Sequence, residues 1–212
     1  MEVINLSPHC SAGQSLFYTN EALGISTINY ASSEDQLLLN MRQCFQFKDV
    51  DMYEHGLLVN REYVNIITSL NEGLLSEVLP TDLIDLYKNK SVLDFSLMMK
   101  YQILHDCGKP LCREVDEEKR VHYPEHAKVS HQQIVRLFPE EIDLQYLVLH
   151  DMDFHTLKPD QLKELAESKY GFSLYLTAWA ELMANATMFN GFDSVSFKIK
   201  RKHLVKCMKL FK

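Results

Sequence analysis

The sequence predicts an all-α bundle. Three observations carry that expectation. Apolar residues recur at three-and-four spacing over most of the chain, alternating strand patterns are scarce, and Pro and Gly fall where helices start or stop. The chain has 212 residues, 46% of them hydrophobic and 24% charged. That is enough to bury a sizeable core.

The elements follow in order. Residues 1–36 read as irregular: Ser, Asn and Gly are frequent, and Ile25 to Tyr30 is at best a short strand. From Asp35, Leu37, Leu38, Met41, Cys44 and Phe45 look helical, with a break near Asp49–Asp51. Leu57, Leu58, Tyr63, Ile66, Ile67 and Leu70 continue the period after His55, and Asn71-Glu72-Gly73 is a stop. Residues 74–92 read as a connector whose short helix Thr81 or Asp82 caps. Val92 to Asp106 is a helix that Gly108 ends and Pro110 keeps from continuing.

Leu111 to Tyr123 reads as a polar loop, Pro124 as a helix opener and Pro139 as its close. Glu140 to Met152 is the next helix. Another starts at Pro159-Asp160 and ends at Gly171, and Phe172 to Phe189 is a long apolar helix. The expected organisation is an irregular segment over 1–40, a helical domain over 41–193 and a basic tail over 194–212.

Charge and cysteine content narrow the function classes. The net charge is −7, yet residues 197–212 carry seven Lys or Arg and no acid, so the body is strongly acidic. An acidic body argues against broad nonspecific nucleic-acid binding. The tail reads first as an amphipathic helix laid on the body, with an RNA or an anionic membrane surface as the alternative. No run of 18 apolar residues occurs, so no membrane span is expected, and Met1 to Asn5 has no secretory-signal character. Five cysteines at irregular spacing, with no Cys-x-x-Cys, suit reduced thiols and a cytoplasmic location.

The chemistry centres on His105-Asp106, at the end of an apolar stretch and just before Gly108-Lys109-Pro110. A His and an Asp at a helix end can both reach one cation, and the carboxylate can bridge to a second. Imidazole with carboxylate suits one or two divalent transition metals: Mn, Fe, Zn, Co or Ni. His55, His126 and His150 stand in three other predicted helices. Alone, each reads as a core histidine or a helix-end residue. Together with an adjacent Asp they point to a metal site built from inward-facing side chains.

The stretch from His105-Asp106-Cys107-Gly108-Lys109-Pro110 through Glu114 to Pro124-Glu125-His126 resembles the HD-domain superfamily of metal-dependent phosphohydrolases. It looks most like the HD region of bacterial CCA-adding enzymes and related tRNA nucleotidyltransferases. The resemblance is specific over residues 100–131 and looser from 50 to about 190; no nucleotidyltransferase catalytic domain is present. It implies an HD-type helical bundle with its metal site in the bundle core.

It also implies His55, His105 and Asp106 as ligands of a first metal, with Asp106 bridging, and His126 and His150 as the extra histidines of dinuclear members. The family closes the site with an Asp on a later helix. Asn185 is the best-placed residue here, with Glu181 and Asp193 as substitutes.

The implied activity is hydrolysis of a phosphoester in a nucleotide, a cyclic nucleotide or a nucleic-acid end, by water that the metal activates. Asp106 is the possible proton acceptor. Lys109 is the first phosphate contact, with Arg113, Lys119 and Arg120 following. Asp151 and Asp153 are candidates for orienting an imidazole, and His122, His131 and His155 are lesser site candidates. Two alternatives use the same residues: a dinuclear-iron HD oxygenase, and a degenerate HD module that binds a nucleotide or a partner without turnover.

Overall fold

The computed structural model describes residues 29–189 and 191–212. Most of them are helical, joined by two short antiparallel hairpins, as the periodicity predicts. The possible strand at Ile25–Tyr30 falls largely outside the described residues.

Helix α1 (Glu34–Arg42) starts where the Ser33 hydroxyl accepts from the Gln36 N–H, and it buries Leu37 and Met41. The break expected near residue 49 is a tight hairpin of β1 (Phe45–Phe47) and β2 (Val50–Asp51). It delivers Asp51 as the cap of α2 (Met52–Glu72). Asp51 accepts from the Glu54 N–H, Glu54 answers on the Asp51 N–H, and Gly73 ends the helix at φ 70°. Helix α3 (Leu83–Asn89) follows the connector.

Helix α4 (Phe95–Leu104) begins three residues later than expected, because Asp94 caps it through the Ser96 and Leu97 N–H groups. The expected loop at 111–123 contains a second hairpin, β3 (Glu114–Val115) with β4 (Val121–His122). Asp116 closes it by accepting from the Glu118 and Arg120 N–H groups.

Helices α5 (His126–Leu137) and α6 (Ile142–Leu149) form an antiparallel pair, followed by short turns α7 (Asp153–Thr156) and α8 (Lys163–Glu167). Gly171 does not end a helix; it opens α9 (Gly171–Met188). A Cβ there would stand 2.2 Å from the Leu165 carbonyl oxygen, so glycine answers a close approach rather than a turn.

Helix α2 is the axis, flanked by α4 and α9. Most of α9 is buried, with Trp179, Tyr175, Leu176 and Ala180 fully enclosed. A polar bridge crosses this core: Asn60 on α2 donates to Gln102 on α4 (2.8 Å), and Gln102 donates to Thr177 on α9 (3.0 Å). A buried amide left unpaired costs about 1–3 kcal/mol, so the bridge favours one register of the three helices.

The boundaries expected at 40/41 and 193/194 separate no cores. Leu37 and Met41 of α1 belong to the same apolar cluster as α9, and so do Leu204, Cys207 and Phe211 of the tail. The tail is the amphipathic helix α10 (Val195–Cys207), capped by Ser194 and laid against α9. No helix of the described residues is long and apolar enough to cross a membrane, and Cys44, Cys107, Cys112 and Cys207 are free thiols.

Candidate metal centre

His55 enters the core from the first turns of α2, and Gly56 beside it sets how closely α4 can approach. A Cβ at Gly56 would meet the Ile103 carbonyl oxygen at 2.5 Å. His105 and Asp106 follow α4, in the turn where its last carbonyls run out. Gly108 fixes that turn to α5: its N–H donates to the Ser130 hydroxyl (2.8 Å), and a Cβ there would stand 2.3 Å from the Ser130 nitrogen. Two close backbone approaches therefore bring α2, the end of α4 and α5 to one point.

That point is the Asp106 carboxylate, 1% exposed. On Oδ2 it meets His55 Nε2 at 3.6 Å, His105 Nε2 at 3.2 Å and Lys109 Nζ at 2.6 Å. On Oδ1 it meets His126 Nε2 at 3.5 Å. Ligands bound about 2.0–2.2 Å from one cation lie about 3.0–3.5 Å apart at tetrahedral or octahedral angles, and the histidine spacings fall on or just outside that range. His55, His105 and Asp106 form one group whose donor atoms could hold a metal ion; His105, Asp151 and Glu181 form another.

The hydrogen bonds around the imidazoles orient them for that task. His105 Nδ1 donates to the Gln102 carbonyl oxygen at 2.7 Å, which turns Nε2 inward. His126 Nδ1 likewise donates to the Tyr123 carbonyl (3.1 Å) and aims Nε2 at Asp106. Because His105 offers one inward nitrogen, both groups describe a single position around it. His55 Nδ1 and Nε2, His105 Nε2 and Asp151 Oδ2 are buried with no hydrogen-bond partner among the described residues. Unpaired buried polar atoms are costly, and two imidazoles with carboxylates are a fitting set for a divalent transition metal.

The electrostatics are those of crowded charge. Burial holds His55 down at about 4, so its imidazole is neutral. Burial also opposes charge on His105, but Asp106 and Asp151 outweigh it and hold the ring up at about 10. Asp106 lies well below the carboxylate range: burial disfavours its charge, and His105 and Lys109 overcome that. Burial raises Asp151, which His105 pulls back and Glu181 reinforces, while Tyr101 donates to its Oδ1 at 2.6 Å. Burial likewise opposes the Glu181 charge, yet His155, with Nε2 2.7 Å from Glu181 Oε2, holds that carboxyl far below its ordinary value.

The remaining expected site residues fall in different places. Asn185 is one turn beyond Glu181 and donates to its Oε1 (3.4 Å), and Glu181 stands in one group with His105 and Asp151. Asp193 is fully exposed, near Lys198. His150 ends α6, belongs to neither metal-capable group, packs on Tyr146 and has Nδ1 2.7 Å from Asp153 Oδ2. Lys109 is buried and engaged with Asp106 and with Gln46 Oε1 (3.2 Å), rather than free in solvent. Arg120 is tied to Asp116 and Glu118 on the exposed hairpin. Arg113 lines a separate cavity of about 570 Å³ with Asn40, Phe45 and Leu111.

The His155–Glu181 contact carries no sequence signal beyond two polar residues on separate helices. No protein-family model, curated protein or solved structure matches this chain.

Proposed function

We propose that this protein is a metal-dependent phosphohydrolase of the HD type, acting on a nucleotide-like phosphoester. One observation carries the reading: four side chains converge on the buried Asp106 carboxylate, and the inward nitrogens of His55 and His105 lack any other partner. His55, His105 and Asp106 would hold a divalent cation, which would supply Lewis-acid activation of water and offset charge on phosphoryl oxygens.

The chain's own residues do the rest. Asp106 faces His55 and His105 with one oxygen and His126 with the other, the arrangement a bridging carboxylate would need. Gln102 and Tyr123 hold the inward tautomers of His105 and His126. His155 and Asn185 fix the two oxygens of Glu181. Lys109 orients Asp106 and supplies positive charge beside the reacting phosphoryl group.

The test is metal content by elemental analysis, followed by hydrolysis of a phosphodiester and a nucleotide panel with Mn, Fe or Zn. The expected result is at least one metal per chain and turnover that His105→Ala abolishes with the fold intact. Metal binding with equal hydrolysis by wild type and His105→Ala sinks the assignment. Dioxygen uptake by the iron form without hydrolysis points instead to the oxygenase alternative.

A second reading has its own support. Lys109 Nζ stands 2.6 Å from the same oxygen that His55 and His105 face, so the chain carries a built-in cation there. A degenerate, metal-free binding module uses Lys109 in the metal's stead. Lys109→Met separates the two: turnover falls if the protein is a hydrolase, whereas a chain that holds no metal until Lys109 is removed is the degenerate module.

A further inference from the structure

A cleft of about 510 Å³ lies between the second half of α9 and the first turns of α10. Its walls include Gln46, Glu181, Asn185, Phe189, Ser196 and Lys200. That volume is in the range of small-molecule sites, about 300–1,000 Å³, and exceeds what a single phosphate needs. Its inner end adjoins the metal centre, because Glu181 belongs both to the cleft wall and to the group around His105. Gln46 makes a second join, accepting from Lys109.

The two ends of the cleft differ in how their charges are paired. At the inner end the carboxylates of Glu181, Asp151 and Asp106 are already engaged by His155, His105 and Lys109. Lys200 is the only cation among the described lining residues, and it makes no ion pair with any described residue. It lies near enough to His155 to oppose that ring's protonation, although burial is the largest influence on His155 and Glu181 outweighs both. Phe189, also in the lining, packs against Phe47 (ring centroids 4.5 Å) and is still 47% exposed, which leaves aromatic surface to meet a ring. Asn185 and Ser196 add hydrogen-bonding groups.

We propose that this cleft binds a phosphorylated ring compound of nucleotide size carrying a second anionic group, and that Lys200 contacts this second group. The assignment of the inner end rests on the metal-centre reading; the cleft and its lysine do not. A cation on an exposed helix face next to an apolar wall is a selective contact for an anion held part-way in that cleft.

Calorimetric titration of the full-length chain with Mn²⁺ tests this, with adenosine 5′-monophosphate, adenosine 5′-diphosphate and inorganic phosphate as probes. Metal content is measured in parallel. Two variants serve: Lys200→Gln, and Ser196→Trp, which fills the cleft from an exposed helix position. The expected result is tighter binding of the diphosphate than the monophosphate. Lys200→Gln should erase that preference, by about tenfold, and Ser196→Trp should block both nucleotides. Metal content and Tm should not change in either variant.

Equal binding of mono- and diphosphate by the wild type overturns the proposal. So does wild-type behaviour in both variants, or binding of inorganic phosphate alone. Lys200-dependent diphosphate binding by a chain that takes up no metal leaves the cleft standing and removes the metal-centre reading. Metal uptake with probe binding that ignores both variants does the reverse.

Discussion

Two aspartates in this molecule collect cations, and they behave differently. Asp106 gathers two histidines and a lysine on one oxygen and a third histidine near the other, with 1% of its surface exposed. Asp116, on the β3–β4 hairpin, takes Arg120 Nε and His122 Nε2 on one oxygen at 2.8 Å each, and backbone N–H groups on the other. Asp116 has the shorter contacts to its histidine and arginine and the better hydrogen bonds, yet it closes a turn in solvent. Water and ions screen each of its pairs. Around Asp106 nothing screens the charges, so they must be matched by the protein or by a bound ion. Burial, rather than the list of partners, separates a site from a surface ornament.

The largest effect that tests this contrast is on stability. Asp106→Asn leaves the Lys109 and His105 charges buried without their carboxylate, and should cost about 3–5 kcal/mol. Asp116→Asn should leave the unfolding midpoint unchanged. Thermal melts of the two variants check this, and equal shifts would erase the distinction.

Next comes Gly56→Ala. Its Cβ meets backbone at Ile103, so α2 and α4 must part, at about 1–3 kcal/mol. Metal retention should fall with it. Gly73→Ala meets nothing within 4 Å but strains a φ of 70°, and should cost about 1 kcal/mol with metal retention intact. Dialysis against a weak chelator distinguishes the two.

A pH series sharpens the same point. His105 stays protonated up to about 10 in the cation-free protein, and a ligand nitrogen must be neutral. Metal binding must displace that proton, and displacement becomes easier as proton activity falls, so metal affinity should rise from pH 6 to 8, by up to about tenfold per unit. A flat profile would mean that His105 gives up no proton to the metal.

The smallest effect concerns His150→Ala. It should leave the metal near His105 in place, because His150 sits with Asp153 and Tyr146 instead. Loss of one metal equivalent would restore His150 as a ligand.

Part of this is legible in the sequence itself. Of the expected set, His55, His105, Asp106 and His126 meet at one carboxylate, whereas His150, at the end of an apolar helix, stands with Asp153 instead. The helical class was legible from periodicity. Gly171 was misread because its φ is ordinary; only the nearness of Leu165 demands glycine there. The hairpin at 114–122 hid in a charged stretch because its strands are two residues long and solvated on both faces. Spacing ranks Asn185 ahead of Glu181, and it is the rotation of α9 that brings the Glu181 carboxylate near His105. His155 carries no pattern that names its partner.

The close approach at Gly56 has a consequence in time. His55 and His105 are fifty residues apart in the chain, and Glu181 is a further seventy-six. No local segment contains the set, so it comes into existence only when α2, α4 and α9 have docked. Such long-range closures are late events along a folding path. An ion captured there would latch the finished bundle without guiding its construction, slowing the opening of the three helices far more than it hastens their meeting.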